Sequence, residues 1–266
     1  SGDSPMDFGF GATDAAGVAT KPHVQELAGD ATACRLDVFA RYPGGESPAV
    51  RVDALAPPSE VVLRLPATGQ VLVHVRDADG NAIDPRWIGN ANVTLTTWSE
   101  RPADRRAAEQ GGTRADATAA IDERGDARFA NVALGAFVRA DVGTWLSSEV
   151  VPGPTLVDPR IEVTARENAG SVVFTGTLFD ADGRALSSCG YDLSCHAPNG
   201  MSGSNARTGV DGRFRICLGA WPASSRATLV FATRPAPGGE PLWCELPPRA
   251  VQAGRNDLGD VHLERM

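Results

Sequence analysis

Gly69–Asp84 reads GQVLVHVRDADGNAID, and Gly170–Ser187 follows the same pattern as GSVVFTGTLFDADGRALS. Each stretch is an apolar run of β-forming residues, then Asp-Ala-Asp-Gly, then a restart with small or apolar residues. An Asp-Gly pair supplies the left-handed backbone that a tight turn between two extended runs requires. The sequence therefore predicts two equivalent hairpin turns, and their residues are Asp77, Asp79, Gly80, Asp180, Asp182 and Gly183.

A second pattern follows each of these stretches. Residues Ile121–Val138 and Val210–Trp221 each carry a turn, then a phenylalanine, then Leu-Gly. This order predicts a strand whose phenylalanine, Phe129 or Phe214, faces the core before a glycine turn closes it. The strands that come next are predicted over Ala136–Val142 and Ala227–Thr233.

The repeat divides the chain into three segments. Residues 67–166 and 167–266 each hold both patterns, and each is predicted to be one β-sandwich module. Residues 1–66 hold only a weaker copy of the second pattern and are predicted to be a partial or variant module. Short closing strands are expected at Val61–Leu65, Ile161–Ala165 and Leu258–Leu263. Because the first two closing strands run directly into the next module, the linkers are short and we expect a stiff array.

The order of strand, Asp-x-Asp-Gly, glycine turn, phenylalanine and Leu-Gly resembles the carboxypeptidase regulatory-like module. The match rests on Asp77–Ile83 with Gly125–Gly135 and on Asp180–Leu186 with Gly212–Gly219. The resemblance implies the transthyretin-like (prealbumin-like) sandwich. The expected fold class is therefore all-β, with tandem Ig-like or transthyretin-like antiparallel β-sandwiches. Such modules space, brace or bind in large secreted, surface and receptor proteins.

The chain departs from that family's pattern at three places. A polar insertion, Glu100–Ala119, separates two of the predicted strands. The last module carries cysteines, which the pattern does not require. Phe137 and Trp221 stand where a tyrosine is usual after the glycine turn. The resemblance therefore indicates the sandwich topology and no particular activity.

Composition limits the classes of partner. The formal net charge is −8, which gives no electrostatic reason to bind nucleic acid or anionic lipid. No apolar run reaches the roughly 18–20 residues of a membrane helix, so membrane insertion by this segment is not expected. Ser1–Asp14 lacks the basic start and apolar centre of a signal peptide. We expect a segment of a larger exported polypeptide, located outside the cell, on its surface or in the periplasm.

Four of the five cysteines fall in the last third of the chain, at Cys189, Cys195, Cys217 and Cys244. An even local count in an exported protein suggests two disulfides, and the sequence leaves all three pairings open. Buried free thiols are the alternative. A zinc site is not expected because no C-x-x-C pair exists. Cys34 is left over, either as a buried thiol or paired outside this segment.

No arrangement typical of catalysis is present. His74 and His262 lie in apolar runs, and no H-E-x-x-H motif occurs. His196 follows Cys195 directly, and adjacent side chains on an extended chain point apart. The two tyrosines lie in different modules, so they do not match the iron ligands of intradiol dioxygenases, which use a related sandwich. Each Asp-Ala-Asp-Gly tetrad has too few oxygen ligands in order for a calcium loop. We expect no enzyme activity, no metal and no cofactor.

Tryptophan is the remaining candidate for binding. Exposed tryptophans stack on sugar rings or anchor protein interfaces, and Trp87 follows a predicted turn, whereas Trp98 ends an apolar run. The alternative for Trp98 is a place in the core. The insertion Glu100–Ala119 is predicted to be a loop, where binding sites are common. The first hypothesis is a non-catalytic structural or spacer array. The second is binding of carbohydrate or a surface protein by Trp87, Trp98 and this loop.

Overall fold

The structure is a computed structural model of the 266-residue chain. It describes residues 18–20, 26, 34–87, 91–103, 114–143, 146–168, 170–197, 200–220, 226–234 and 240–265. The strands of the described part are β1 Arg35–Val38, β2 Arg41–Tyr42, β3 Gly45–Glu46, β4 Val50–Asp53, β5 Thr68–Arg76, β6 Asn92–Trp98, β7 Arg114–Ala120, β8 Asp126–Ala133, β9 Phe137–Val142, β10 Leu146–Ser147, β11 Val151–Pro152, β12 Arg160–Glu167, β13 Ser171–Phe179, β14 Gly190–Ala197, β15 Gly200–Arg207, β16 Arg213–Ala220, β17 Arg226–Arg234, β18 Leu242–Ala250, β19 Gly254–His262 and β20 Glu264–Arg265. A 3₁₀ turn spans Pro85–Trp87.

The chain divides into two compact units, one of residues 1–41 and 46–66 and one of residues 42–45 and 67–266. The smaller unit contains the antiparallel ladder of β1 and β4. Val61–Leu65 was predicted as a closing strand, and that prediction is wrong because no described strand pairs with it. A run of β-forming residues becomes a strand only where another strand supplies hydrogen-bond partners.

The larger unit holds two hydrophobic cores. The first lies within a sheet of order β7-β6-β9-β10-β12-β5-β8 that folds over itself, and β11 pairs with β9. The second lies between the sheets β16-β13-β19 and β15-β14-β17-β18-β20. The two predicted core phenylalanines are confirmed, because Phe129 is in the first core and Phe214 in the second. Burying each such side chain contributes about 1.5–3 kcal/mol.

The first Asp-Ala-Asp-Gly tetrad forms a turn held by a single carboxylate. Asp77 Oδ1 accepts the N–H groups of Asp79 at 3.0 Å and of Asn81 at 2.8 Å. Gly80 has φ +87°, which a residue with a Cβ adopts only with strain. Beyond the turn, Ala82 bridges back to the end of β5.

The second tetrad forms the same turn. Asp180 Oδ1 accepts the N–H groups of Asp182 at 2.9 Å and of Arg184 at 2.8 Å. Gly183 has φ +77°, and Ala185 bridges back to the end of β13. The strand before each turn also pairs with the third strand after it in the same way, β5 with β8 and β13 with β16, both antiparallel.

The all-β class and the β-sandwich architecture are confirmed. The sheets are mostly antiparallel, but each sandwich also contains one parallel pair, β5 with β12 and β13 with β19. Two strands can run parallel only if a long connection brings the chain back to the same end of the sheet. In both sandwiches the strands between the two members of the parallel pair provide this connection, because they cross to the other layer and return. Among the described residues, no helix is long and apolar enough to cross a membrane.

The insertion is shorter than the sequence indicated. Residues 114–119 were predicted to be loop, but they belong to β7, which pairs with β6 along its whole length. Ala117 and Ala119 alternate with polar residues and pack against the first core. Small inward residues fit the close approach of the layers, so this stretch forms an edge strand despite its low apolar content.

The predicted disulfides are absent, since all five cysteines are free thiols. Cys195 lies on β14 and Cys244 on β18, and β17 runs between these strands. Two strand spacings of about 4.8 Å exceed the Cα separation that a disulfide spans. Cys217 lies on the other sheet, on the face opposite to the core residues Ile216 and Leu218. Cys189 precedes β14, six positions from Cys195 along an extended chain.

We therefore expect the unreduced, denatured chain to show five alkylatable thiols. In the native chain Cys195 and Cys217 should react last, because burial raises the pKa of Cys195 to about 11 and of Cys217 to about 12. Pulsed iodoacetamide labelling followed by peptide mass spectrometry measures both quantities. Recovery of any disulfide-linked pair of peptides would contradict the five free thiols described above.

Candidate functional site

Of the two predicted ligand-binding tryptophans, the structure describes the side chain of Trp98 only. Trp98 is 3% exposed at the end of β6, so its indole offers no face to a ligand. Its Nε1 is buried without a hydrogen-bond partner among the described residues. Trp87 ends the 3₁₀ turn, and its side chain lies outside the described residues, as do residues 104–113 of the insertion. Trp243 on β18 is 36% exposed. Nothing in the sequence around it distinguished it from the other tryptophans as a candidate for binding.

A polar cluster occupies the outer face of the first sandwich. His74 Nδ1 lies 2.8 Å from Asp126 Oδ1, across the β5–β8 pair. Arg76 donates to the same oxygen at 2.9 Å and to the carbonyl of Gly125 at 3.1 Å. Glu162 on β12 lies 3.4 Å from His74 Nε2. The cluster therefore links three neighbouring strands through charged side chains.

The electrostatics of this cluster favour a structural role. Burial opposes ionisation of Asp126, but hydrogen bonds from His74 and Arg76 overcome that effect and lower its pKa. The carboxylate is thus held by its neighbours and has no nucleophile beside it to activate. Within the described ranges, no group of three or more His, Cys, Asp or Glu residues is placed to hold a metal ion.

A lowered pKa in the folded state makes Asp126 a source of acid sensitivity. Its contribution to stability is present above the unfolded pKa of about 3.9 and is lost as pH falls through the folded pKa. Carboxyl-detected NMR titration should place the Asp126 midpoint below that reference. We expect the midpoint to rise in Arg76→Gln, which removes one donor. A midpoint at or above the reference in the unaltered chain would contradict the cluster as described.

The strongest difference between the two sandwiches lies on the outer face of β13. Ser171, Val173 and Thr175 point away from the core, yet they are 3%, 2% and 7% exposed. Counted from the tetrads, Val173 corresponds to Gln70 on β5, which is exposed. Part of the first sandwich lies against this sheet, since Arg215, the register partner of Thr175 on β16, reaches Glu167 and Asp77. The outer face of β13 is therefore an interface within the larger unit.

Three charged side chains meet in this interface, which we call the joint. Arg215 on β16 reaches Glu167 at the end of β12 through Nη2, and Asp77 Oδ2 through Nη1 at 3.6 Å. The side chains of Arg215, Asp77 and Glu167 are 14%, 13% and 10% exposed. Asp77 thus uses one oxygen for its turn and the other for the joint. The sequence predicted only the first of these roles.

Burial makes the joint sensitive to loss of a partner. Desolvation offsets much of the attraction in a buried ion pair, but removing one member leaves an uncompensated charge that costs about 3–5 kcal/mol. Arg215 Nε is already buried without a hydrogen-bond partner among the described residues. The two carboxylates therefore supply the charge compensation of this guanidinium.

The equivalent turns provide a matched test of the joint. Asp77→Asn and Asp180→Asn both keep the oxygen that accepts the two turn N–H groups, but only the first removes a carboxylate from Arg215. We expect Asp77→Asn to lower the free energy of unfolding by about 1–3 kcal/mol more than Asp180→Asn. Urea denaturation monitored by tryptophan fluorescence measures the difference. Equal losses would show that the Asp77–Arg215 contact contributes nothing.

Several solved protein structures are similar to this chain in fold, at low sequence identity. A scan against protein-family models and a search of curated proteins found no match. A solved structure of GBS52, the minor pilin of Streptococcus agalactiae, is similar at 9% identity and TM-score 0.31, covering 75% of this chain and 97% of that one. The D295N mutant of the shaft pilin SpaA from Lactobacillus rhamnosus GG is similar at 10% identity and TM-score 0.29, covering 75% and 99%.

A third likeness involves an enzyme. The 3-chlorocatechol 1,2-dioxygenase of Rhodococcus opacus 1CP is similar at 17% identity and TM-score 0.26, covering 38% of this chain and 62% of that one. All three TM-scores are below 0.5, so no functional argument is drawn from these likenesses. The β-sandwich class of this chain rests on its own strand order.

Proposed function

We propose that residues 67–166 and 167–266 are two carboxypeptidase regulatory-like modules that act as a stiff, non-catalytic spacer in a larger exported or cell-surface polypeptide. The observation that carries the proposal is the joint, in which Arg215 is buried between Asp77 and Glu167. A linker between mobile domains is exposed and polar. Here Glu167, beside the connection between the two sandwiches, has a side chain that is only 10% exposed and pairs with Arg215 of the next sandwich.

Repetition supports the proposal. The same carboxylate-held turn, the same positive-φ glycine and the same parallel partner strand recur in residues 67–166 and 167–266. Repeat proteins gain stability from contacts between neighbouring copies. In such an array the interface between copies carries the structural function, and the partner is the rest of the polypeptide. Residues 1–66 are proposed to be a partial or variant module of the same kind.

Stiffness can be measured in the full chain. We expect N–H residual dipolar couplings from residues 67–166 and 167–265 to fit one common alignment tensor. Arg215→Ala should separate the two fits, because the buried compensation between the sandwiches is lost. Arg213→Ala is the matched control, since that side chain lies on the same strand but is 75% exposed. Two distinct tensors in the unaltered chain would refute the stiff spacer.

A further inference from the structure

The first sandwich is open along one side of β12. β12 pairs with β5 from Arg160 to Arg166, but on its other side it pairs only with β10, at Arg166 and Glu167. After Ser147 the chain diverges from β12 and joins β9 as β11. Among the described strands, none pairs with the second edge of β12 between Arg160 and Thr164.

The unpaired backbone groups of this edge can be identified. The carbonyl of Pro159 accepts the N–H of Gln70 at 2.8 Å, so residue 159 faces β5. Hydrogen-bonding groups alternate between the two sides of a strand, so residues 161 and 163 face β5 as well. The N–H and C=O groups of Arg160, Glu162 and Thr164 therefore face the open side. The same alternation places the backbone groups of Arg166 on the open side. Arg166 does pair with β10 on that side, which agrees with the assignment.

A groove lies beside these groups. One cavity of about 480 Å³ is bounded by Val151–Gly153 and Arg160–Glu162, with Thr155 and Asp158. A second, of about 450 Å³, is bounded by residues 147–149 and 162–164 and by residues 166–168, with Val151. Both cavities share Val151 and Glu162, so they form one groove that follows the unpaired edge. Its length matches a strand of about five residues.

Most strand edges that remain open are protected. Proline, bulges and very short strands are the usual devices. On the β11 side of the groove, Pro152 lacks an N–H group. In the second sandwich, β19 corresponds to β12 and has an irregular register against β13, with positive φ at Gly254 and Gly259. β12 has neither proline nor bulge and keeps a regular register over seven pairs, so the protection of its edge comes from charged side chains such as Arg160 and Glu162.

The side chains at the groove indicate the chemistry of an occupant. Glu149, Asp158 and Glu162 bring negative charge to it, which outweighs the positive charge of Arg160 and Arg166, and the Glu162 side chain is 73% exposed. At one end, Leu156 and Val157 are 80% and 96% exposed. They sit on a tight turn in which the N–H of residue 155 donates to the carbonyl of Asp158 at 2.8 Å. Basic and apolar side chains complement these groups.

We propose that the open edge of β12 binds an extended peptide carrying basic and apolar side chains, which adds a strand to the β8-β5-β12 layer. The backbone of the peptide pairs with Arg160, Glu162 and Thr164. A basic side chain of the peptide meets Glu162, and an apolar one contacts Leu156 and Val157. Strand addition of this kind takes its affinity from main-chain hydrogen bonds and its specificity from alternate side chains.

The test uses the full chain and a capped Lys-Val-Lys-Val-Lys-Val peptide as probe. We expect saturable binding with a Kd of about 1 mM or tighter, and amide shift changes confined to residues 147–151 and 160–166 in ¹H–¹⁵N spectra. The matched control peptide has the same sequence with alternate residues N-methylated, which removes its hydrogen-bond donors on one edge. It should not bind. Binding by the methylated peptide, no binding by either, or shifts elsewhere would overturn the proposal.

Two variants localise the site. Glu162→Pro removes an N–H on the open side without removing a bond to β5, and we expect at least about tenfold weaker binding. Glu162→Lys reverses the charge and leaves the backbone intact, so it covers the case in which the proline variant does not fold; it should also weaken binding. Glu245→Lys on β18 is the charge-matched control and should bind as the unaltered chain does. Equal binding by all folded variants would refute the site.

The alternative occupant is a second copy of the chain. Sedimentation of the chain alone should show a monomer at concentrations that saturate the peptide. Self-association that Glu162→Lys abolishes would overturn the peptide as occupant in favour of a second copy. Failure of peptide binding would leave the stiff spacer untouched, because the dipolar couplings across Arg215 do not depend on β12's free edge.

Discussion

A carboxylate oxygen that accepts two backbone N–H groups sets the geometry from which each sandwich is built. In Asp77 and Asp180 this oxygen closes the turn, and the glycine three residues later takes the left-handed conformation that brings the chain back. The strand before each turn lies between an antiparallel strand on one side and a parallel strand on the other. The core forms beneath that central strand.

The two halves differ in what their central strand faces on its outer side. β5 carries a part-buried polar cluster around His74 and Asp126, whereas Ser171, Val173 and Thr175 on the outer side of β13 are buried. One repeat therefore lies against solvent and the other against its neighbour. The joint forms where the turn carboxylate of the first repeat reaches Arg215 of the second. Asp77 thus contacts its own turn through one carboxylate oxygen and Arg215 of the next sandwich through the other.

Stiffness and the open edge of β12 are compatible for a physical reason. An edge strand binds a further strand only if its backbone is already held in the extended form, since ordering it on binding would cost conformational entropy. β12 is fixed by β5 along its length and by Glu167 at its end, through the joint. The scaffold proposed as a spacer would therefore present a preformed edge.

The sequence by itself determined the two Asp-Gly turns, the alternation of apolar residues around them and hence the all-β sandwich class, because these depend on short-range backbone preferences. It did not determine which runs become strands. Val61–Leu65 pairs with no described strand, whereas Arg114–Ala120 forms β7 and pairs with β6. Nor did it determine cysteine pairing, the joint at Arg215 or the open edge of β12. Each of these depends on which strands become neighbours, and strand order is set only when distant segments pack into one core.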